Sequence, residues 1–243
     1  MRAALLFLVF LLALPVRAVP ALAAGKPVDA AIVLVTDVSL SITEPEYTLE
    51  KQGYASAIQS PAVVAAIRNG AIGAIALSYV EFAGANQITT VIGWQVIHDQ
   101  ASAQRFAAAL LAAPRSAEGR TAVGSGIAAA TEDLAESGFA ATRRIIDVCG
   151  DGNSNAGVPL TVARAAALKA SITINGLAIV HPNPPPWLAP HVAPPGGIVN
   201  YYRDNVIGGP GSFVIQVNTD QDFTAAMIHK LILEIAARGH AGV

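Results

Sequence analysis

Residues 30–36 read AAIVLVT, a continuous apolar run rich in β-branched side chains. Such a run suits a central strand buried on both faces, because a strand with one wet face would alternate apolar and polar positions. Residues 44–60 read as a helix in which Tyr54, Ala57 and Ile58 share an apolar face, with Thr43 as a candidate cap and Pro45 in the first turn. Ser60-Pro61 restarts a short helix through Arg68, and Asn69-Gly70 ends it. Residues 71–82 and 88–97 read as two strands around a turn at 83–86. Helices are predicted over 100–112, 122–137 and 159–170, and strands over 144–149, 172–180 and 212–217. A final helix is expected from Thr219, with Phe223, Met227, Leu231 and Ile235 at helical spacing and Thr219 with Asp222 as a capping pair.

Strands and helices thus alternate along most of the chain. That order predicts an α/β fold, a doubly wound and mostly parallel sheet with helices on both faces. The hairpin at 71–97 adds one antiparallel edge strand. The rhythm breaks only at 181–211, which contains HPNPPPWLAPHVAPPGG and then YYRDNVIGGPGS. Proline and glycine at that density are expected to exclude regular structure over its first half. An irregular insertion of this length is either a plain loop or a binding loop.

Composition narrows the class. Of 243 residues, 53% are hydrophobic and 13% charged, enough to build one sizeable core and too apolar for disorder. The net charge is −2 and no basic run is present, so nucleic acid is not an expected partner. The first 24 residues read as an export signal. Arg2 supplies the positive start, Ala3 to Val16 the apolar run, and Ala21-Leu22-Ala23 a cleavage site, with Val16-Arg17-Ala18 as a second. An uncleaved anchor is the rival reading, but the run falls short of the ~20 residues a span needs. The expected exported unit, residues 25–243, lies in a bacterial periplasm or outside the cell, without a membrane span. Cys149 is the only cysteine, so no internal disulfide can form. It sits in an apolar strand as an inert thiol, and Asp147 two residues earlier reads as a partnered buried acid.

The candidate chemistry lies where strands end. In a doubly wound sheet, ligands bind at the carboxyl ends of the strands. Asp37, Ser39 and Ser41 follow the first strand in LVTDVSLSITE. Thr121 precedes a helix in GRTAVGSGI, and Asp151 follows a strand in VCGDGNSN, where Gly152 is expected to permit a tight turn. Taken singly, each has an ordinary account in capping or turn formation. Together they offer two carboxylates and three hydroxyls, an all-oxygen set suited to Mg2+, or Mn2+ or Ca2+, and poorly suited to zinc or copper. Neutral hydroxyls leave the ion net positive, so it would seek an anionic ligand such as a partner's carboxylate. Arg120 could steer such a ligand or lie solvated.

The pattern Asp-x-Ser-x-Ser, then a distant Thr, then a distant Asp-Gly resembles the metal-ion-dependent adhesion site of von Willebrand factor A (vWA) domains. The segments YYRDNVIGGPG and CGDGNSN also look like those of an uncharacterised group of exported bacterial vWA-like proteins. The resemblance runs from Ala30 to about residue 236. It implies a Rossmann-like vWA fold in which Ser39, Ser41 and Thr121 contact the metal directly, with Asp37 and Asp151 acting directly or through water. It also implies a C-terminal helix able to shift on ligand binding. The expected function is exported, divalent-metal-dependent adhesion to an unidentified protein ligand. A metal-dependent hydrolase using Asp37 and Asp151 is the alternative, and a scaffold with a vestigial site a third reading. The five histidines show no metal-ligand spacing, and no Gly-x-Ser-x-Gly elbow or phosphate-binding glycine loop is present.

Overall fold

The computed structural model describes residues 25–218 and 223–236. The export signal and the Thr219–Asp222 capping pair fall outside them. Six strands form one sheet: β1 (Lys26–Asp37), β2 (Ile75–Phe82), β3 (Ile88–Ile97), β4 (Phe139–Gly150), β5 (Thr173–Ile179) and β6 (Val214–Val217), in the order β3-β2-β1-β4-β5-β6. All neighbours run parallel except β2 and β3, so β3 is the antiparallel edge strand expected from the hairpin.

Central β1 is buried on both faces from Val28 onward, as its unbroken apolar run requires. Ile32 and Leu34 join the core under α1 (Glu44–Ile58), α2 (Pro61–Arg68), α3 (Gln100–Ala112) and α8 (Phe223–Ala236). Val33 and Val35 point the other way, toward α4 (Val123–Glu136) and α5 (Leu160–Lys169). Thr43 caps α1 in a full capping box with Glu46. β2 starts at Ile75 rather than at residue 71. The Asp29 carboxylate accepts the backbone N–H groups of Ile72, Gly73 and Ala74 at 3.0, 2.8 and 3.3 Å, which holds those residues in a turn. β1 and β4 both begin earlier than their apolar runs, pairing Lys26 with Phe139. Hydrophobicity marks only the doubly covered part of a strand, whereas backbone pairing continues past it.

The expected irregular insertion is partly helical. Its first half contains a short helix, α6 (Ala189–Val192), despite its prolines. Pro190 falls in the first turn, where no backbone N–H is needed. The second half forms α7 (Ile198–Tyr201) and a π-turn (Tyr202–Val206). Ile198, Tyr202 and Val206 bury into the second core, and Gly208 pairs with Ile174 of β5. This half is part of the domain rather than a loop laid on it.

Asp147 has the partner its burial demands, on α8. Lys230 Nζ lies 2.6 Å from Asp147 Oδ1 and also pairs with Glu234, all three side chains being fully buried. Asn175 donates to Glu234 at 2.9 Å. Arg143, from β4, donates to the backbone carbonyls of Glu234 and Ile235, capping the end of α8.

Gly124 sets how closely α4 approaches the chain entering α5. A Cβ there would overlap the backbone carbonyl of Val158, which cannot move aside as a side chain could. Gly124→Ala is therefore expected to destabilise the protein by roughly 1–3 kcal/mol, although alanine is the better helix former by about 1 kcal/mol. Urea unfolding checks this, and an unchanged or raised midpoint would contradict it.

Candidate metal centre

The parallel register brings the expected residues together. Asp37 pairs with Phe82, and Thr36 with Cys149, so β1 and β4 end level with one another. The loops that follow leave the same edge side by side. Ser41 Oγ donates to Asp151 Oδ1 at 2.7 Å, Ser39 Oγ lies 3.0 Å from Ser41 Oγ, and Thr121 Oγ1 lies 3.0 Å from Ser39 Oγ. Asp37 accepts the Ser39 N–H at 2.8 Å through Oδ1. Asp151, Ser41, Ser39 and Thr121 form one continuous chain of side-chain oxygens, and Asp37 joins it through the Ser39 backbone N–H.

The Ser39 carbonyl accepts the Ile42 N–H at 3.0 Å and so closes a turn, but helix capping accounts for none of the three hydroxyls. Thr43 caps α1, which leaves Ser39 and Ser41 without a capping role. α4 has no side-chain cap, so Thr121 is not one. Gly152 does not adopt a positive φ and so does not serve a tight turn of that kind. Instead, a Cβ there would overlap the ring of His191. Asp37 alone forms an Asx-turn as well, through its contact with the Ser39 N–H.

Asp37 and Asp151 are fully buried. Asp37 Oδ2 has no hydrogen-bond partner among the described residues. Burial, and then repulsion from Asp151, push the Asp37 carboxyl up to about 8. Two buried carboxylates and an orphaned oxygen beside three neutral hydroxyls form a site short of positive charge. A hard divalent cation fits that deficit, with oxygens from Asp37, Asp151, Ser39, Ser41 and Thr121 in reach. No three His, Cys, Asp or Glu side chains cluster as a metal site among the described residues, so the hydroxyls are indispensable to this reading.

Reading the sequence missed three contributors. Arg115 donates to the backbone carbonyls of Val38, Ser39 and Ile42, each at 2.9 Å, and so fixes the loop that carries both serines. Nothing in its local sequence marks it. His181, the first residue of the insertion, places Nε2 2.9 Å from Asp151 Oδ2. His191, at the end of α6, places Nε2 3.0 Å from Thr121 Oγ1 and Nδ1 2.7 Å from Asn153 Oδ1. Asn155 Nδ2 approaches the same Nδ1 at 3.3 Å, so Nδ1 stands between a carboxamide oxygen and a carboxamide nitrogen while Nε2 faces the hydroxyls. Burial lowers the His191 pKa, against a smaller opposing pull from Asp151, which favours the neutral ring. Asparagine 155 holds the far side: its Oδ1 accepts the Thr121 N–H at 3.0 Å, and Arg120 Nη2 donates to its backbone carbonyl at 2.6 Å.

Above the cluster lies a cavity of about 460 Å³, walled by Leu40 and Arg120 on one side and by Trp187, Leu188 and His191 on the other. Leu40 is 67% exposed and Trp187 77%, a solvent-facing apolar rim around a polar floor. No helix among the described residues is long and apolar enough to cross a membrane.

Solved structures share this architecture. The proximal thread matrix protein 1 of the mussel byssus matches with a TM-score of 0.59 and 17% identity, over 87% of this chain and 46% of its own. Another structure of that protein carries zinc in its MIDAS motif, the metal-ion-dependent adhesion site. The pilus adhesin SpaC of Lactobacillus rhamnosus GG in its open conformation matches at 0.57 and 15% identity, over 86% of this chain and 30% of its own. The von Willebrand factor type A protein of Catenulispora acidiphila matches at 0.56 and 13% identity, over 86% and 43%. The chain thus spans less than half the length of each, and the likeness establishes a vWA-like fold. A search of curated proteins finds no match. At the level of sequence the match covers residues 27–239, and the chain belongs to the family described as "Protein of unknown function (DUF1194)".

Proposed function

We propose that residues 25–243 form an exported vWA-like interaction module, released from a signal peptide over 1–24 into a bacterial periplasm or beyond. It engages a protein partner through a divalent cation held by Asp37, Ser39, Ser41, Thr121 and Asp151. The single observation that carries this reading is the continuous oxygen cluster from Asp151 through Ser41 and Ser39 to Thr121 over the orphaned Asp37 oxygen. The neighbours support it: their printed names describe an adhesin, a matrix protein and a zinc-occupied adhesion site. The ion neutralises the buried carboxylates and presents a coordination position for a partner's acid side chain. Arg120, at the rim, supplies a second attraction for that acid.

The hydrolase alternative is weaker. Asp37 is fully buried, so its carboxyl is poorly placed to reach a substrate. Calorimetric titration of the protein with Mg2+ and Mn2+, with and without acetate as a stand-in carboxylate, tests the proposal. A single saturable site is expected, tightened by acetate and weakened in the Ser39→Ala/Ser41→Ala double variant. No saturable binding of either ion under any of these conditions would remove the metal reading.

A further inference from the structure

His191 lies outside the five-residue motif, yet its ring is held from three directions. Nδ1 is 2.7 Å from Asn153 Oδ1, the His191 carbonyl accepts the Asn153 N–H at 3.1 Å, and the ring fills the space beside Gly152 that any Cβ would occupy. What this arrangement presents to the oxygen cluster is the Nε2 atom, 3.0 Å from Thr121 Oγ1. An imidazole held at Nδ1 by the side-chain amides of Asn153 and Asn155, with Nε2 turned toward a cluster of oxygen ligands, is oriented as histidine metal ligands are. His181 differs: its Nε2 meets Asp151 Oδ2 at 2.9 Å, so it positions a carboxylate rather than facing the cluster itself.

We propose that His191 is a resident nitrogen ligand for the cation at the Ser39–Ser41–Thr121–Asp151 cluster, which turns an all-oxygen site into a mixed one. This assignment rests on the metal reading of that cluster and deepens it. Oxygen donors alone favour Mg2+ or Ca2+, whereas one imidazole shifts preference toward borderline ions such as Co2+, Ni2+ or Zn2+. The insertion therefore sets which ion the site holds. It also fills one coordination position from within the chain, leaving fewer for a partner.

The test compares Co2+ with Mg2+ by calorimetry and follows the visible absorption of bound Co2+, which reports nitrogen ligation. Wild-type protein is expected to bind Co2+ about 10-fold or more tightly than Mg2+. His191→Ala should weaken Co2+ binding by about 10-fold or more, with a changed Co2+ spectrum, and shift Mg2+ affinity by less than about 3-fold. Gly152→Ala, which displaces the ring without deleting it, should reproduce that loss even if His191→Ala disturbs α6. Asp151→Asn should weaken both ions. If both ions bind the wild type and neither His191→Ala nor Gly152→Ala changes the ratio of their affinities, the assignment is wrong and the metal reading stands. If neither ion binds the wild type, the metal reading fails and takes this assignment with it.

Discussion

Replacing Lys230 by methionine is expected to cost the protein about 3–5 kcal/mol of stability at pH 8, the loss typical when one partner of a buried ion group is removed. The methionine keeps most of the apolar stem, so the loss reports the charge. Asp147 and Glu234 would then lie together in a buried site without their shared ammonium, with Arg143, at the end of α8, the cation still acting on Glu234. The cost should shrink at pH 5. Burial, and then Glu234, already push the Asp147 carboxyl up to about 7 against the pull of Lys230. Burial disfavours the charged form of Lys230, but the two carboxylates outweigh it and its pKa is raised. In the wild type, Asp147 holds its proton more tightly folded than unfolded, where 3.8 is its ordinary value, so its contribution to stability falls as pH rises from about 4 to about 7. Asp147→Asn should flatten that part of the stability–pH profile. Converting all three to apolar residues should recover most of the loss, because well-packed side chains replace a buried ion group at little net cost. Chemical denaturation at the two pH values measures each of these. A loss under about 1 kcal/mol, equal at both pH values, would show that the group contributes no charge balance.

Asp151→Asn should abolish divalent-cation binding, weakening it by about 100-fold or more, beyond the 10–100-fold that partners outside the coordination shell typically cost. The fold should survive. Asparagine keeps the size of the side chain and an oxygen to accept from Ser41. It also removes the repulsion that helps to raise Asp37, so metal-free protein at pH 8 should melt no lower than wild type. Function and stability therefore move independently in this variant. Retained metal affinity would place the cation elsewhere. A melting temperature several degrees lower would mean that Asp151 serves the fold rather than the site.

The two effects also mark what can be read in the chain before it folds. The five motif residues are legible because each directly follows a strand or precedes a helix, and the parallel register of β1 with β4 does the rest. Asp147 is legible as an anomaly, an acid inside an apolar strand. Its partner could have been found as well, because Lys230 and Glu234 stand on the same face of α8 as Met227 and Leu231, where charge is out of place. His181 and His191 are different. They lie in a proline-rich stretch without periodicity, and their arrival at the site depends on the second half of the insertion burying Ile198, Tyr202 and Val206. Gly152 misleads in the same way: a glycine after a strand reads as a turn, whereas its missing side chain is required by a ring 39 residues further along. Local pattern identifies donors attached to regular elements, and it is blind to donors delivered by a tertiary path.

The exposed indole at the cavity rim has a practical consequence. The chain has two tryptophans. Trp94 is half-buried on β3, hydrogen-bonded to Asp133 at 2.7 Å and packed edge-on against Phe139. Trp187 stands in water beside Leu188 and His191. Its emission is expected to be that of a hydrated indole, quenched by iodide or acrylamide and shielded by a ligand seated in the cavity. The protein thus carries its own optical reporter of occupancy, one that needs no label and reads the rim without disturbing the oxygen cluster below.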